Sequence, residues 1–198
     1  MRFLLDGMLG KLTRWLRMIG YEATYMNDSP DRELLALAKR QSLILLTSDE
    51  ELYRNAISKG IDSFLVEGRT EAERLAGLAE RYHLNLQIDT FTSRCPMCGS
   101  NIREVPRKDV EALVPPTTFK VYQSFWVCTN PKCAKVYWQG SHWKRIEQTL
   151  ESAKKILDHK RASRTSTVRR TSQLGRGKSA SSASATDNQK LPTNERDQ

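Results

Sequence analysis

Leu43-Ile44-Leu45-Leu46-Thr47-Ser48-Asp49 is the stretch on which the fold turns. An apolar run of strand length without polar alternation is the mark of a strand covered on both faces. The run stops at Ser48-Asp49, where Ser48 and Glu51 read as a capping box opening a helix to about Ser58. Working outward, Phe3-Leu4-Leu5 is a shorter run of the same kind, ending at Asp6. After it, Leu9, Leu12, Trp15, Leu16 and Ile19 fall on one helical face, with Lys11, Arg14 and Arg17 away from it. Gly20 ends that helix. Ser29 as N-cap and Pro30 as first helical residue open the next, whose buried side is Leu34, Leu35, Leu37 and Ala38. Ser63-Phe64-Leu65-Val66 reads as a further strand and Thr70 to Tyr82 as a further amphipathic helix. Doubly buried strands alternating with helices predict an α/β fold: a parallel sheet with helices on both faces.

Active sites in such sheets lie beyond the carboxyl ends of the strands, the edge at which Asp6 and Asp49 stand. Asp31 and Glu33, in the first turn of the second helix, are within reach of the same point. Carboxylates converging without His or Cys suit Mg²⁺ or Mn²⁺, ions that activate water and neutralise a scissile phosphate. Lys11 and Arg14, with Arg17 behind them, are candidates to hold adjoining phosphates. A plainer role competes for Asp31, Glu33, Asp49 and Glu51, because acids in first turns of helices gain about 0.3–1 kcal/mol from the dipole whatever the protein does. Asp6 fits that role less well: it ends an apolar strand, where desolvating a carboxylate costs free energy that metal binding would offset. Gly7-Met8-Leu9-Gly10-Lys11-Leu12 lacks the spacing of a phosphate loop, and the chain has neither G-x-G-x-x-G nor G-x-S-x-G, which removes the main support for a nucleotide cofactor or a serine hydrolase.

The four cysteines form two close pairs, Cys95-Pro-Met-Cys98-Gly99 and Cys128-Thr-Asn-Pro-Lys-Cys133. Paired thiolates at this spacing predict a structural Zn²⁺ site, with a redox pair as the alternative. The segment Thr117 to Val127 and the segment Ala134 to Trp138, rich in β-branched and aromatic residues, read as strands meeting at the metal: a zinc ribbon. So small a module would draw most of its stability from zinc, worth on the order of 10–16 kcal/mol in small zinc domains. With four thiolates available, His142 reads as a packing or surface residue, and an RNA contact by His142 and Trp143 is the alternative. His83 and His159 have no suggestive neighbours.

Of the net charge of +9, +5 falls on Arg161 to Gln198, where eight basic residues face three acids among Ser, Thr and Ala. That composition predicts a disordered basic tail, either a solubiliser or an electrostatic arm for nucleic acid. No run approaches the length of a membrane span, and Asp6 arrives too early for a secretory leader, so the expected location is cytoplasmic. The organisation read from sequence is a nuclease-type domain over 1–88, a ribbon over 89–150 and a helical extension with the tail over 151–198. Oligomeric state has no signal here.

Taken together, Phe3-Leu4-Leu5-Asp6-Gly7-Met8-Leu9-Gly10-Lys11-Leu12 with Arg14-Trp15-Leu16-Arg17, Asp31-Arg32-Glu33-Leu34-Leu35, Ile44-Leu45-Leu46-Thr47-Ser48-Asp49, the cysteine pairs and Tyr137-Trp138-Gln139-Gly140-Ser141-His142-Trp143 resemble the mut-seven C-terminal RNase family. The resemblance spans about residues 1 to 150. It implies a PIN-like nuclease fold followed by a zinc ribbon, and metal-dependent ribonuclease activity on RNA. By motif position it carries metal ligation to Asp6 and Asp49, with Asp31 third and Glu33 possible. The fourth acid of PIN-type sites has no obvious counterpart: Asp62 opens a strand and points away from that edge, and Glu67 is only a candidate. A non-catalytic RNA-binding module using Tyr137, Trp138 and Trp143 for stacking is the competing reading.

Overall fold

A computed structural model describes the backbone of residues 1–175 and the side chains of residues 1–163. Met1–His159 forms one compact unit. Four parallel strands, β1 (Arg2–Leu5), β2 (Glu22–Tyr25), β3 (Ile44–Thr47) and β4 (Ser63–Leu65), lie in the order β2-β1-β3-β4. They alternate with helices α1 (Gly10–Met18), α2 (Asp31–Gln41), α3 (Glu50–Ser58) and α4 (Glu71–Tyr82).

The two sides of the sheet carry separate cores. Phe3, Leu5 and Leu46 face Leu12 and Leu16 of α1 and Leu75 and Leu78 of α4; Leu4 and Leu45 face Leu34 of α2 and Leu52 of α3. Strand order explains this. The chain steps from β1 to β2 in one direction, then crosses back past β1 to β3 and on to β4. Right-handed crossovers therefore send α1 to one face and α2 and α3 to the other. The reversal falls between β1 and β3, the strands that end at Asp6 and Asp49.

β2 is absent from the sequence reading. It is an edge strand, Glu-Ala-Thr-Tyr, in which only Ala23 is buried, so it offers no apolar run to recognise. Two helix starts also differ. Pro30, not Ser29, is the N-cap of α2, which opens at Asp31. Asp49, not Ser48, caps α3, while the Ser48 hydroxyl donates to the Val66 carbonyl at 3.0 Å and anchors the end of β4.

The second sheet is antiparallel, with β5 (Ile102–Val105), β6 (Phe125–Cys128) and β7 (Val136–Tyr137) in sequence order. The first part of the stretch expected as one long strand from Thr117 is instead helical. Pro115-Pro116 opens α5 (Pro116–Val121), because proline presets the first helical turn, and only Phe125–Cys128 is extended. Phe119 of that helix stacks on Phe125 with centroids 6.5 Å apart, and the Arg107 guanidinium lies over the Phe119 ring at 4.1 Å. The expected second strand shortens to Val136–Tyr137.

The last helix, α6 (Trp143–Gly175), returns to the parallel sheet, where Leu150, Ala153 and Leu157 join the core of Leu75 and Leu78. Its backbone is helical through Arg161–Gly175, the first part of the stretch expected as a tail. The remainder of the expected tail, 176–198, lies outside the described residues. Among the described residues no helix is long and apolar enough to cross a membrane.

Candidate acidic site and cysteine centre

The backbone ladder runs to the carboxyl edge of the parallel sheet and delivers two acids there. The Asp6 amide donates to the Leu46 carbonyl at 3.4 Å, and the Val66 amide to the Thr47 carbonyl at 2.7 Å. Asp6 is buried. Its Oδ1 accepts from the Met8 amide at 2.9 Å, capping the 3-10 turn Gly7–Leu9, and its Oδ2 accepts from the Thr47 hydroxyl. The same Thr47 hydroxyl oxygen accepts from the Asp49 amide at 2.9 Å. One hydroxyl thus bridges the two acids across adjacent strands. Asp49 Oδ1 accepts from the Glu51 and Leu52 amides at 2.7 and 3.0 Å, which leaves its second oxygen outside the cap.

Asp31 and Glu33 are exposed in the first turn of α2. Asp31 lines a surface hollow with Arg32, Leu35, Lys39, Asn55 and Lys59. Among the described residues the cysteine quartet is the sole group of three or more His, Cys, Asp or Glu near enough to share an ion, so the four acids do not meet at one point. Lys11 and Arg14 project to solvent from α1. Asp62 is taken up at the opposite edge, where its Oδ1 accepts from the Tyr82 hydroxyl at 3.1 Å; burial and the Asp62 charge push that phenol well above its ordinary range. Glu67 is exposed just beyond β4.

Arg17 corrects the sequence reading. Expected on the free face of α1 as a phosphate contact, it is buried and spends its guanidinium on backbone carbonyls. Asp28 is the acid the sequence reading missed. It follows β2 at a left-handed φ of 54°, and the Asn27 side-chain amide donates to its Oδ2. Asn27 and Tyr25 clamp the Asp6 loop: the Tyr25 hydroxyl donates to the Gly7 carbonyl at 2.9 Å. A Cβ on Gly7 would come within 3.1 Å of Asn27 Oδ1, and one on Gly10 within 3.1 Å of the Tyr25 hydroxyl. The two glycines of the opening block let β2's end close over it. Asn27-Asp28-Ser29-Pro30 is a turn signal, and with β2 recognised it would have put Asp28 at the same edge.

The cysteines come together because Ile102 of β5 pairs with Cys128 of β6, bringing both pairs to one end of the ribbon. In the first loop the Gly99 amide donates to the Cys95 carbonyl at 2.8 Å, with Gly99 at φ 81°. In the second, the Cys133 and Ala134 amides both donate to the Asn130 carbonyl at 2.9 Å, and Ala134 takes the left-handed φ of 46°. A tetrahedral ion with Zn–S bonds of about 2.3 Å has S···S edges of about 3.8 Å. The four Sγ lie within 4.8 Å of one another, with Cys95···Cys133 at 3.7 Å and Cys98···Cys128 at 3.4 Å. The donor set therefore fits Zn²⁺. Against burial, hydrogen bonds from Ser100 bring the Cys98 thiol down to about 6, whereas burial pushes Cys128 up to about 12. The Tyr137 hydroxyl lies 3.0 Å from Cys95 Sγ; burial and that contact push the phenol up.

Beside the cysteines, Tyr137, Trp138, Ser141, His142 and Trp143 line an open cleft of about 370 Å³. His142 is exposed, and the half-buried Trp143 donates through Nε1 to Glu147 at 2.8 Å. The Trp138 indole lies across Gly140, where a Cβ would approach Nε1 to 2.7 Å.

Fold and site define an α/β protein whose parallel sheet carries two hydroxyl-bridged acids at its strand reversal, joined to a ribbon with a tetrathiol centre. A family model described as the Mut7-C RNAse domain matches residues 1–150, and the chain belongs to that family. No curated protein and no solved structure matches the chain.

Proposed function

We infer that the chain is a metal-dependent ribonuclease that hydrolyses RNA phosphodiester bonds at the carboxyl edge of the parallel sheet. The observation that carries this reading is that one Thr47 hydroxyl ties the Asp6 carboxylate to the backbone amide of Asp49 at the strand reversal, where open α/β sheets bind ligands; family membership supports the reaction class. Asp49 would hold Mg²⁺ or Mn²⁺ through the oxygen its cap leaves over, and Asp6 through a lone pair of Oδ2 beside the one that takes the Thr47 hydroxyl. Asp31 or Glu33 joins on substrate binding, and Asp28 is a further carboxylate at that edge. Bound there, such an ion would supply an activated water and neutralise charge on the scissile phosphate. Lys11 and Arg14 meet neighbouring phosphates. The PIN-like domain over 1–88 does the chemistry, and the zinc ribbon over 89–150 assists RNA binding through His142 and Trp143.

Cleavage of labelled RNAs with Mn²⁺, Mg²⁺ or EDTA tests this. EDTA-sensitive cleavage that vanishes in Asp6→Asn is the expected result. The second reading, an RNA-binding protein without catalysis, draws on the separation of the acids and on the aromatic cleft beside the cysteines. RNA binding without cleavage in any metal would favour it.

A further inference from the structure

Arg17 makes three hydrogen bonds and all of them end on backbone. Nε donates to the Ala23 carbonyl of β2 at 2.9 Å, and Nη1 donates to the Pro96 and Met97 carbonyls at 3.1 and 2.9 Å. Pro96 and Met97 are the two residues between Cys95 and Cys98. One side chain of α1 therefore grips a cysteine loop some eighty positions away in sequence. The approach is close: a Cβ on Gly99, whose φ of 81° already favours glycine, would sit 3.1 Å from Arg17 Nε.

Main-chain contacts reinforce the grip. The Arg94 amide donates to the Arg17 carbonyl at 2.9 Å and the Ser93 hydroxyl to the Met18 carbonyl at 2.7 Å. The chain leading into Cys95 thus adds donors to the last carbonyls of α1: Met18's, and Arg17's, which also accepts from the Gly20 amide at 3.0 Å.

No carboxylate among the described residues pairs with Arg17, although a buried cation is costly without compensating charge. The compensation is on the other side of the loop, since one Zn²⁺ held by four thiolates is a centre of net charge −2. Burial lowers the Arg17 pKa, and negative charge on Cys95 and Cys98 acts in the opposite direction.

We propose that Arg17 is the counter-ion of the zinc-loaded cysteine centre and a positioning residue that ties α1 and β2 to it, so that zinc occupancy sets the order of the helix carrying Lys11 and Arg14. This is separate from the nuclease reading and holds whether or not RNA is cleaved.

The test uses the full-length protein loaded with one equivalent of Zn²⁺, then stripped by chelation, with amide hydrogen exchange followed in both states. Stripping should deprotect Ile102–Val105 of the ribbon and, with it, the last turn of α1 and Glu22–Tyr25. In parallel, Arg17→Met should release zinc to a chromophoric chelator at least about tenfold faster, the worth of one charge-assisted hydrogen bond, and Arg17→Lys should recover part of the loss. Ribbon amides that deprotect while α1 and β2 keep their protection would overturn the proposal. So would exchange unchanged everywhere, or zinc release from Arg17→Met at the wild-type rate. If Arg17→Met does not fold, the exchange comparison on the unmodified chain still decides.

Discussion

The acidic edge and the cysteine centre are two sites built on opposite principles. The cysteine centre gathers four like ligands, and its loops serve chiefly to bring sulfurs within a tetrahedral edge of one another. The acids are dispersed, and two of them already have structural employment: Asp6 caps a 3-10 turn and Asp49 caps α3. A structural metal centre can be closed and self-sufficient, whereas a site that handles substrate must leave ligand positions open. Removing the metal should therefore be ruinous in one region and nearly silent for stability in the other.

The largest test of that contrast is Cys95→Ser or exhaustive chelation. Either should remove on the order of 10 kcal/mol from the ribbon, seen as loss of bound zinc and of its cooperative melting. A melt unchanged at zero zinc would erase the distinction.

Next comes Asp49→Asn. Asparagine caps helices as well as aspartate, so stability should move by only a few tenths of a kcal/mol. Cleavage should fall by about a hundredfold or more if the carboxylate holds the metal. Asp49→Ala loses the cap as well, costing about 1–2 kcal/mol in urea melts.

An effect of similar size is expected at Thr47→Val. It leaves Asp6 Oδ2 and the Asp49 amide without their shared partner, at a cost of about 1–3 kcal/mol. The mutant should also bind Mn²⁺ more weakly by titration if the hydroxyl holds the pair in register. Lys11→Gln should reduce the slope of RNA affinity against salt by about 0.7 on logarithmic axes, with stability untouched.

The smallest effect contrasts the two ends of the sheet, because at the opposite end Asp62 accepts from the Tyr82 hydroxyl. The folded Tyr82 phenol is held above its ordinary value of about 10, first by burial and then by Asp62. A raised folded value gives stability that is complete below about pH 10 and lost as pH climbs towards the folded value. Tyr82→Phe should lack that alkaline decline, measured by urea melts between about pH 9 and 11.

Much of this architecture could be read from residue order alone. The strand at Phe3–Leu5 and the one at Leu43–Thr47 are apolar on both faces, and burial on both faces is what a sheet between two helical layers demands. An acid within two residues of each strand's end, Asp6 and Asp49, then falls at the carboxyl edge. The cysteine pairs were equally legible, since two-residue and four-residue gaps between thiols have few uses besides metal.

What residue order did not disclose depends on partners far along the chain. Helical periodicity gives the angle at which Arg17 leaves α1, but the carbonyls that bury it lie 79 and 80 residues away. Only the folded ribbon turns that exposed-looking arginine into an interior one. β2 and Asp28 were hidden because an edge strand needs few apolar residues, and its place is set by pairing with β1. Local pattern therefore determined which elements form and which chemistries they carry. Tertiary structure alone decided which charges are left free, because that depends on what each element is packed against.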